Sequence, residues 1–561
     1  MLVVQKTRRI ETVVTMAIGA FSAVEIIGHC RHDKQVFKSR QLGLIKAEGC
    51  KYGFDVIESV GKALFVECKN EQLIVKELAK RNVHIPRRTI GYLGRKFIVY
   101  LALAHRQSRQ QLKSLMLKKG GYILHIDGTC EGESPHLFCG IDGISELVLN
   151  SIKIPSEKKE LLVPFFRHIK QDYGNPVALV HDMGIGIMKA VETIFQGLPD
   201  FICHFHFLRD IGKDLLLNDY QKITGYLRKH NVRALLRKKA KYLEKKIEKN
   251  SSAVADLKKA METGETMPQS FSISPAVATY TLIHWILSSS CDSHGYGFPF
   301  DRPHLELYSK IKKGYCNLVD ISKTYSETEP SGSRPFIQVL RLLEKIMQDE
   351  KLSAAVKTLE AKAKVFDKLR QALRIALPDG KDGLNDNGDE TDIKTIEASV
   401  NSFKVWLLAD SGRRKIYEKM IEQIDKYWEK LFADPIEVQT SAGKIKLQPQ
   451  RTNNIMERFF RDEKRKCRRK TGNSVLGRVL KAILADTPLV RNLENEEYRK
   501  IILKGCSSLA ERFAQIDAKL VQQELFRAQM NQEKLLHGVK NLIKFPDLPE
   551  KISSIFLTKA I

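Results

Sequence analysis

Between residues 121 and 215 the apolar pattern changes period, and that change limits the fold more than any other feature. Strand-length runs occupy 122–127, 136–141 and 147–154, joined by short turns at Gly132 and Gly143. An amphipathic helix pattern follows from Glu157 to Tyr173, then a strand at 177–182 and a helix from Ile185 to Phe195. A last strand pattern reads Phe201-Ile202-Cys203-His204-Phe205-His206, with His204 facing away from Cys203 if the strand is regular. Three strands followed by alternating helix and strand predict a mixed sheet with helices on its faces. Two strands close on a lone aspartate: Asp127 after Tyr122-Ile123-Leu124-His125-Ile126, and Asp182 after Val177-Ala178-Leu179-Val180-His181.

The rest of the chain is helical in pattern. Residues 1–34 read as an N-terminal helical segment. Lys6, Arg8 and Arg9 precede the apolar run Val13 to Ile27 and so imitate an export signal, but Glu11 and Glu25 interrupt it. Residues 35–118 read as a basic helix-turn-helix module. Asn70 to Lys80 has helical apolar spacing, Asn82-Val83-His84-Ile85 turns, and Pro86 opens a second helix carrying Arg87, Arg88, Arg95 and Lys96. The core's first part spans 119–215. An all-α insertion is expected over 216–445, with the acidic, Gly-rich stretch 378–388 as a surface loop. Helix returns over 446–490, and 491–561 reads as a tail of amphipathic helices that pack on a partner chain. Trp285 and the run Gly295-Tyr296-Gly297-Phe298-Pro299-Phe300-Asp301 suit an aromatic core or a base-stacking surface.

Charge narrows the function. Lys plus Arg number 93 against 66 Asp plus Glu, a formal charge of +27. The excess is uneven: 23 against 9 over residues 1–120, 10 against 2 over 227–250, and 8 against 2 over 458–470. Basic runs favour a polyanionic partner, because Lys and Arg displace condensed counterions from phosphates. The 10 cysteines are scattered without paired C-x-x-C motifs, which fits reduced thiols in a cytoplasmic protein. No run of about 20 residues lacks charges, so no membrane span is expected.

Hydrolysis and transfer of phosphodiesters need an oxygen nucleophile deprotonated near neutral pH and a stabilised leaving oxygen. Two hard divalent cations held by carboxylates serve both needs. Asp127 and Asp182 lie where two strand ends can converge on such ions, although a strand-end aspartate also serves as an ordinary turn cap. Glu457 follows Thr452-Asn453-Asn454-Ile455-Met456, about one turn into a helix that Thr452 or Asn453 can cap. Asn453, Glu457, Arg461 and Arg465 recur at i+4 on one face, so the acid can face metal while Arg458, Arg461, Lys464 and Arg465 hold phosphates. The ordinary alternative is a solvated Glu457 paired with Arg461. His125 and His181 flank the aspartates and are read as packing residues.

This combination resembles the DDE transposases of bacterial insertion sequences, in the group related to Mutator-like elements. That group carries a C-x-x-H motif soon after its second aspartate, and here Cys203-His204-Phe205-His206 begins 21 residues beyond Asp182. The asparagine-rich lead Asn453-Asn454-Ile455-Met456-Glu457, the basic residues after it, Gly472, and a helical insertion within the 275-residue gap between Asp182 and Glu457 also match. The resemblance covers roughly 35–490.

It implies a ribonuclease H-like α/β catalytic core, its mixed sheet covered by helices on both faces, interrupted by a large all-α insertion domain. Asp127, Asp182 and Glu457 would be the catalytic ligands of two Mg2+ (or Mn2+) ions. Cys203 and His206 would support the active site, since two donors cannot complete a tetrahedral zinc site. The partners implied are double-stranded DNA, as element ends and target, and further copies of the chain in a homodimer or larger assembly at the bacterial nucleoid. Such relatives often begin with a Cys-rich zinc segment, whereas the first hundred residues here hold only Cys30, Cys50 and Cys68. Recognition of the ends then falls to the helix-turn-helix. A structure-selective nuclease of the same fold, or a silent DNA-binding relative, is the alternative.

Overall fold

The computed structural model describes residues 4–30, 35–248, 252–264, 274–288, 295–328, 334–376, 392–472, 475–530 and 546–557. β-Branched residues dominate its start. Val4–Thr15 (β1) and Gly19–Cys30 (β2) form an antiparallel hairpin in which Arg9 faces Glu25 and Ile10 faces Val24. Gly19 makes the turn possible, with a φ of 85° that strains any residue bearing a Cβ. The expected N-terminal helix is therefore a hairpin. Its acids find partners in the folded chain: Glu11 accepts from buried Lys46 at 2.9 Å, and Glu25 from the Ser39 amide at 2.9 Å.

Val36–Phe37 (β3) adds a short third strand, and a helical module follows. It comprises Arg40–Ile45 (α1), Phe54–Phe65 (α2), Glu71–Ala79 (α3), Arg87–Gln107 (α4) and Arg109–Lys118 (α5). Asn70 caps α3 by accepting from the Leu73 amide at 2.9 Å. The spacing predicted α3 and the start of α4. It did not predict that every residue of α4 from Lys96 to His105 is buried.

The main sheet has Ile123–Thr129 (β4), His136–Asp142 (β5), Val148–Ile154 (β6), Ala178–His181 (β7) and Asp200–Ile202 (β8), in the order β6-β5-β4-β7-β8. β4, β5 and β6 are antiparallel neighbours, whereas β7 runs parallel to β4. The mixed α/β sheet expected from the pattern is present. Lys159–Tyr173 (α6) crosses from β6 to β7 and lays Phe165 and Phe166 against Phe138 at ring distances of 5.3 and 6.1 Å. Ile185–Ile194 (α7) packs beside α6.

Contacts divide the chain into two units, one of 1–199, 436–447 and 455–561, the other of 200–435 and 448–454. The second is helical, from His204–Lys229 (α8) and Val232–Ile247 (α9) through Ser252–Thr263 (α10), Ser274–Leu287 (α11), Pro303–Thr328 (α12), Arg334–Met347 (α13), Glu350–Leu373 (α14), Ile393–Leu408 (α15), Ser411–Ile416 (α16), Glu418–Lys426 (α17) and Trp428–Leu431 (α18). The aromatic segment at 296–300 is internal: Phe298 stacks on Tyr220 and Phe300 on Phe205, each at 4.7 Å. The acidic Gly-rich stretch at 378–388 lies outside the described residues.

The chain returns to the first unit as a hairpin of Ile436–Thr440 (β9) and Gly443–Leu447 (β10), two strands within what the pattern read as all helix. Asn454–Thr471 (α19) and Leu476–Ala482 (α20) follow, then a 3-10 helix over Thr487–Glu494 and Glu496–Leu503 (α21), Leu509–Ala514 (α22) and Ala518–Met530 (α23). These helices pack inside the unit. Phe513 stacks on Tyr100 at 5.0 Å, and Arg106 pairs with Glu524 at 3.2 Å. Among the described residues no helix is long and apolar enough to cross a membrane.

His105 ties these layers together. Its Nδ1 lies 3.0 Å from the Tyr498 hydroxyl, and its Nε2 lies 3.1 Å from the Leu149 carbonyl and 2.8 Å from the Tyr173 hydroxyl. Burial lowers its pKa to about 4 from an ordinary 6.5, which keeps the ring neutral. The native state thus resists protonation where the unfolded chain accepts it, so stability is full above pH 6.5 and drains as the pH falls toward 4. Between pH 8 and pH 5 this histidine should withdraw about 2 kcal/mol. Urea unfolding followed by tyrosine fluorescence should show that loss, and His105→Gln should flatten the acid limb by that amount.

Candidate active site

The register of β4 against β7 sets the geometry. Ile123 pairs with Ala178, His125 with Val180 and Ile126 with His181. The next residue on each chain is an aspartate, Asp127 and Asp182. Adjacent strands lie about 4.8 Å apart, and in-register residues of parallel strands share a face. Continued one residue past its last pair, that register brings Asp127, two residues before the end of β4, level with Asp182, the first residue after β7. The other neighbour, β5, sets Cys139 opposite Asp127.

The histidines beside these aspartates are both buried. His125 is fully buried, and its ring fills the space where a side chain at Gly143 would stand, 2.7 Å from the Cβ position. His181 is also fully buried and sets Nδ1 2.6 Å from the Asp182 carbonyl.

Glu457 lies in the first turn of α19. Ile455, Met456 and Phe459 anchor that turn in the same core as Leu124, Ile126 and Phe138. Further along, Glu463 acts electrostatically on Cys139, as Asp127 does. α19 therefore belongs to the core of the first unit. Burial raises the Glu463 carboxyl above its usual range, even with Lys466 at 3.4 Å.

The basic residues after Glu457 divide into two groups. Arg458 is engaged by Glu146, at 2.5 Å, and Arg491 reaches the same carboxylate at 2.9 Å while lying over the Phe459 ring at 5.5 Å. Glu146 holds these two guanidiniums from a left-handed position, φ 56°, in the β5–β6 turn. Arg461, Lys464 and Arg465 are exposed, with Arg465 3.7 Å from Asp462. Arg458 is thus a clamp residue, and its three neighbours remain on the surface.

The C-x-x-H pair belongs to the second unit, and there the strand expectation fails. β8 stops at Ile202, Cys203 is the N-cap of α8, and His204 to His206 form its first turn. Cys203 and His206 are consequently three residues apart on one side of a helix, both buried. His204 is buried too, not turned to an opposite face. Its Nε2 lies 2.6 Å from the Leu431 carbonyl, and burial with nearby Arg451 lowers its pKa to about 3.

The segment leading into α19 is bound to this turn. The His204 amide donates to the Arg451 carbonyl at 2.9 Å, and the Asn453 amide donates to Cys203 Sγ at 3.2 Å. Arg451 itself donates to the Leu373 carbonyl at 2.7 Å. Cys203 thereby fixes the backbone of Asn453, four residues before Glu457. That role leaves no trace in the spacing.

The N-terminal basic helix is corrected at one position. Arg87 and Arg88 are exposed at the start of α4, with Arg87 3.2 Å from Glu71, and Arg95 is half-buried. Lys96 is only 3% exposed, its ammonium turned inward, so it cannot meet a phosphate on this surface.

Two further carboxylates escaped the sequence pattern. One is Glu146. The other is Glu157, which packs against Gly128, next to Asp127, and accepts from His136 Nδ1 at 3.0 Å. The glycine after Asp127 leaves the room that Glu157 fills, so Gly128→Ala should displace it and cost about 1–3 kcal/mol on unfolding. Glu146→Ala should cost less, within about 1 kcal/mol, because its partners are partly solvated. Its stronger effect should be faster amide exchange in the first turn of α19, measured by hydrogen exchange.

No family model and no curated protein sequence matches this chain, so its functional reading rests on this geometry and on the motifs.

Proposed function

We propose that this chain is a transposase, a metal-dependent polynucleotidyl transferase that cuts DNA at the ends of its own element and joins them to target DNA. The observation that carries the reading is the parallel register that brings Asp127 of β4 level with Asp182, just after β7, together with Glu457 in the first turn of α19. The sheet order and the parallel fourth strand agree with a ribonuclease H-like core, and the C-x-x-H residues agree with the resemblance.

The types of donor suit the ions that such chemistry uses. Three carboxylates offer hard oxygen ligands, which suit Mg2+ or Mn2+. Asp127, Asp182 and Glu457 would hold them. When bound, such ions ease deprotonation of an attacking water and stabilise the departing 3′-oxygen.

The chain's own residues do the rest. Asp127 and Asp182 present charge from rigid strand ends, so little reorganisation accompanies reaction. Arg461, Lys464 and Arg465 bind phosphates along α19, and Arg87 and Arg88 bind them at the start of α4. Cys203 holds the Asn453 backbone, and His206 occupies the same helical side.

Three results test this. Asp127→Asn, Asp182→Asn and Glu457→Gln should each lower Mn2+-dependent cleavage of a labelled end fragment by more than the roughly 10–100-fold that outer-shell changes cost. Wild-type protein given that fragment and a plasmid target should yield joined product, and cleavage without joining overturns transfer in favour of a nuclease. Alanine at Arg461, Lys464 and Arg465 together should weaken duplex binding and reduce its log K against log salt slope by about 2–3, near 0.9 per lost phosphate contact.

A further inference from the structure

Lys96 is an uncommon buried residue. It sits on α4 with 3% exposure, and among the described residues no carboxylate pairs with it. Its ammonium instead donates to Cys50 Sγ at 2.6 Å and lies 5.0 Å from the Tyr92 ring centre. A buried cation needs a compensating partner, and here the sulfur supplies the hydrogen bond. Cys50 is half-buried and Lys96 is buried.

The segment around Cys50 is held firmly. The Cys50 amide donates to the Ala47 carbonyl at 3.1 Å, the Val14 amide to the Lys51 carbonyl at 2.9 Å, and the Gly53 amide to the Val14 carbonyl at 2.8 Å. The sulfur and nitrogen therefore face each other from two anchored pieces of backbone. That is the arrangement in which a bimolecular condensation becomes intramolecular.

We infer that Cys50 and Lys96 form a redox-sensitive cross-link site, in which peroxide oxidation of the thiol is followed by sulfur–nitrogen bond formation. Written for thiol and amine, the Cys50 sulfur attacks one oxygen of hydrogen peroxide. The O–O bond breaks, an S–O bond forms, and the departing hydroxide leaves as water with the thiol proton. The product is a sulfenic acid, a species that condenses with nitrogen nucleophiles. The Lys96 nitrogen then attacks that sulfur, the S–O bond breaks, and a second water leaves with one amine proton. Sulfur loses two electrons, one peroxide is reduced, and two waters form. The resulting sulfenamide fastens the 47–53 segment, and with it the end of β1, to α4.

Tryptic mapping by mass spectrometry after graded hydrogen peroxide tests this on the full chain. The expected species joins the Cys50 and Lys96 peptides and is two hydrogens lighter than their sum. Dithiothreitol should restore the separate peptides. Cys50→Ser and Lys96→Arg should each abolish it, with circular dichroism checking that both variants fold. In the wild-type chain itself, recovery of Cys50 as sulfinic or sulfonic acid with Lys96 unmodified overturns the proposal. So does an unmodified Cys50 at peroxide levels that oxidise the exposed Cys130.

Discussion

The parallel pairing of β4 with β7 is the constraint on which the rest depends. Its register fixes Asp127 beside Asp182, and only a crossover through α6 allows a parallel neighbour there. A slip of one residue would send either aspartate to the other face. The apolar contacts of Phe138 with Phe165 and Phe166 guard against that slip, because they need the alternate residues of β4 and β5 on the α6 side. The site geometry is therefore a consequence of core packing.

Glu457 enters by a different route. It is 275 residues beyond Asp182 and has no sheet register to hold it. Ile455, Met456 and Phe459 place its helical turn in the core of the first unit, and Glu146 holds Arg458 immediately after it. On the other side of the turn, Asn453 is bonded to Cys203. A carboxylate in the first turn also benefits from the helix dipole, so local and tertiary preferences agree there.

The N-terminal third carries a different lesson. Its basic residues suggested a surface helix, yet α4 is a core helix enclosed by Tyr498, Phe513 and Glu524 from the far end of the chain. Its first turn keeps exposed arginines, at Arg87 and Arg88. Two of the tail helices, α22 and α23, cover α4. Periodicity revealed that these helices are amphipathic, but an apolar stripe does not say which surface it will meet.

The strands near 122–127, 136–141 and 147–154, the crossover helix and the aspartate after β7 were legible in the sequence, whereas β4 runs two residues past Asp127. Period-two and period-3.6 patterns and turn glycines are local properties, and they survive into the fold. Tertiary structure decided the remainder. It made a hairpin of residues 4–30, because charged Glu11 and Glu25 gain partners only when Lys46 and Ser39 fold against them. It ended β8 at Ile202, since the first turn of α8 is stabilised by distant Arg451 and Leu431. It also turned Lys96 inward. A lysine's charge is visible in a sequence, but its direction is set by whichever neighbours bury its stem, and those lie far away along the chain.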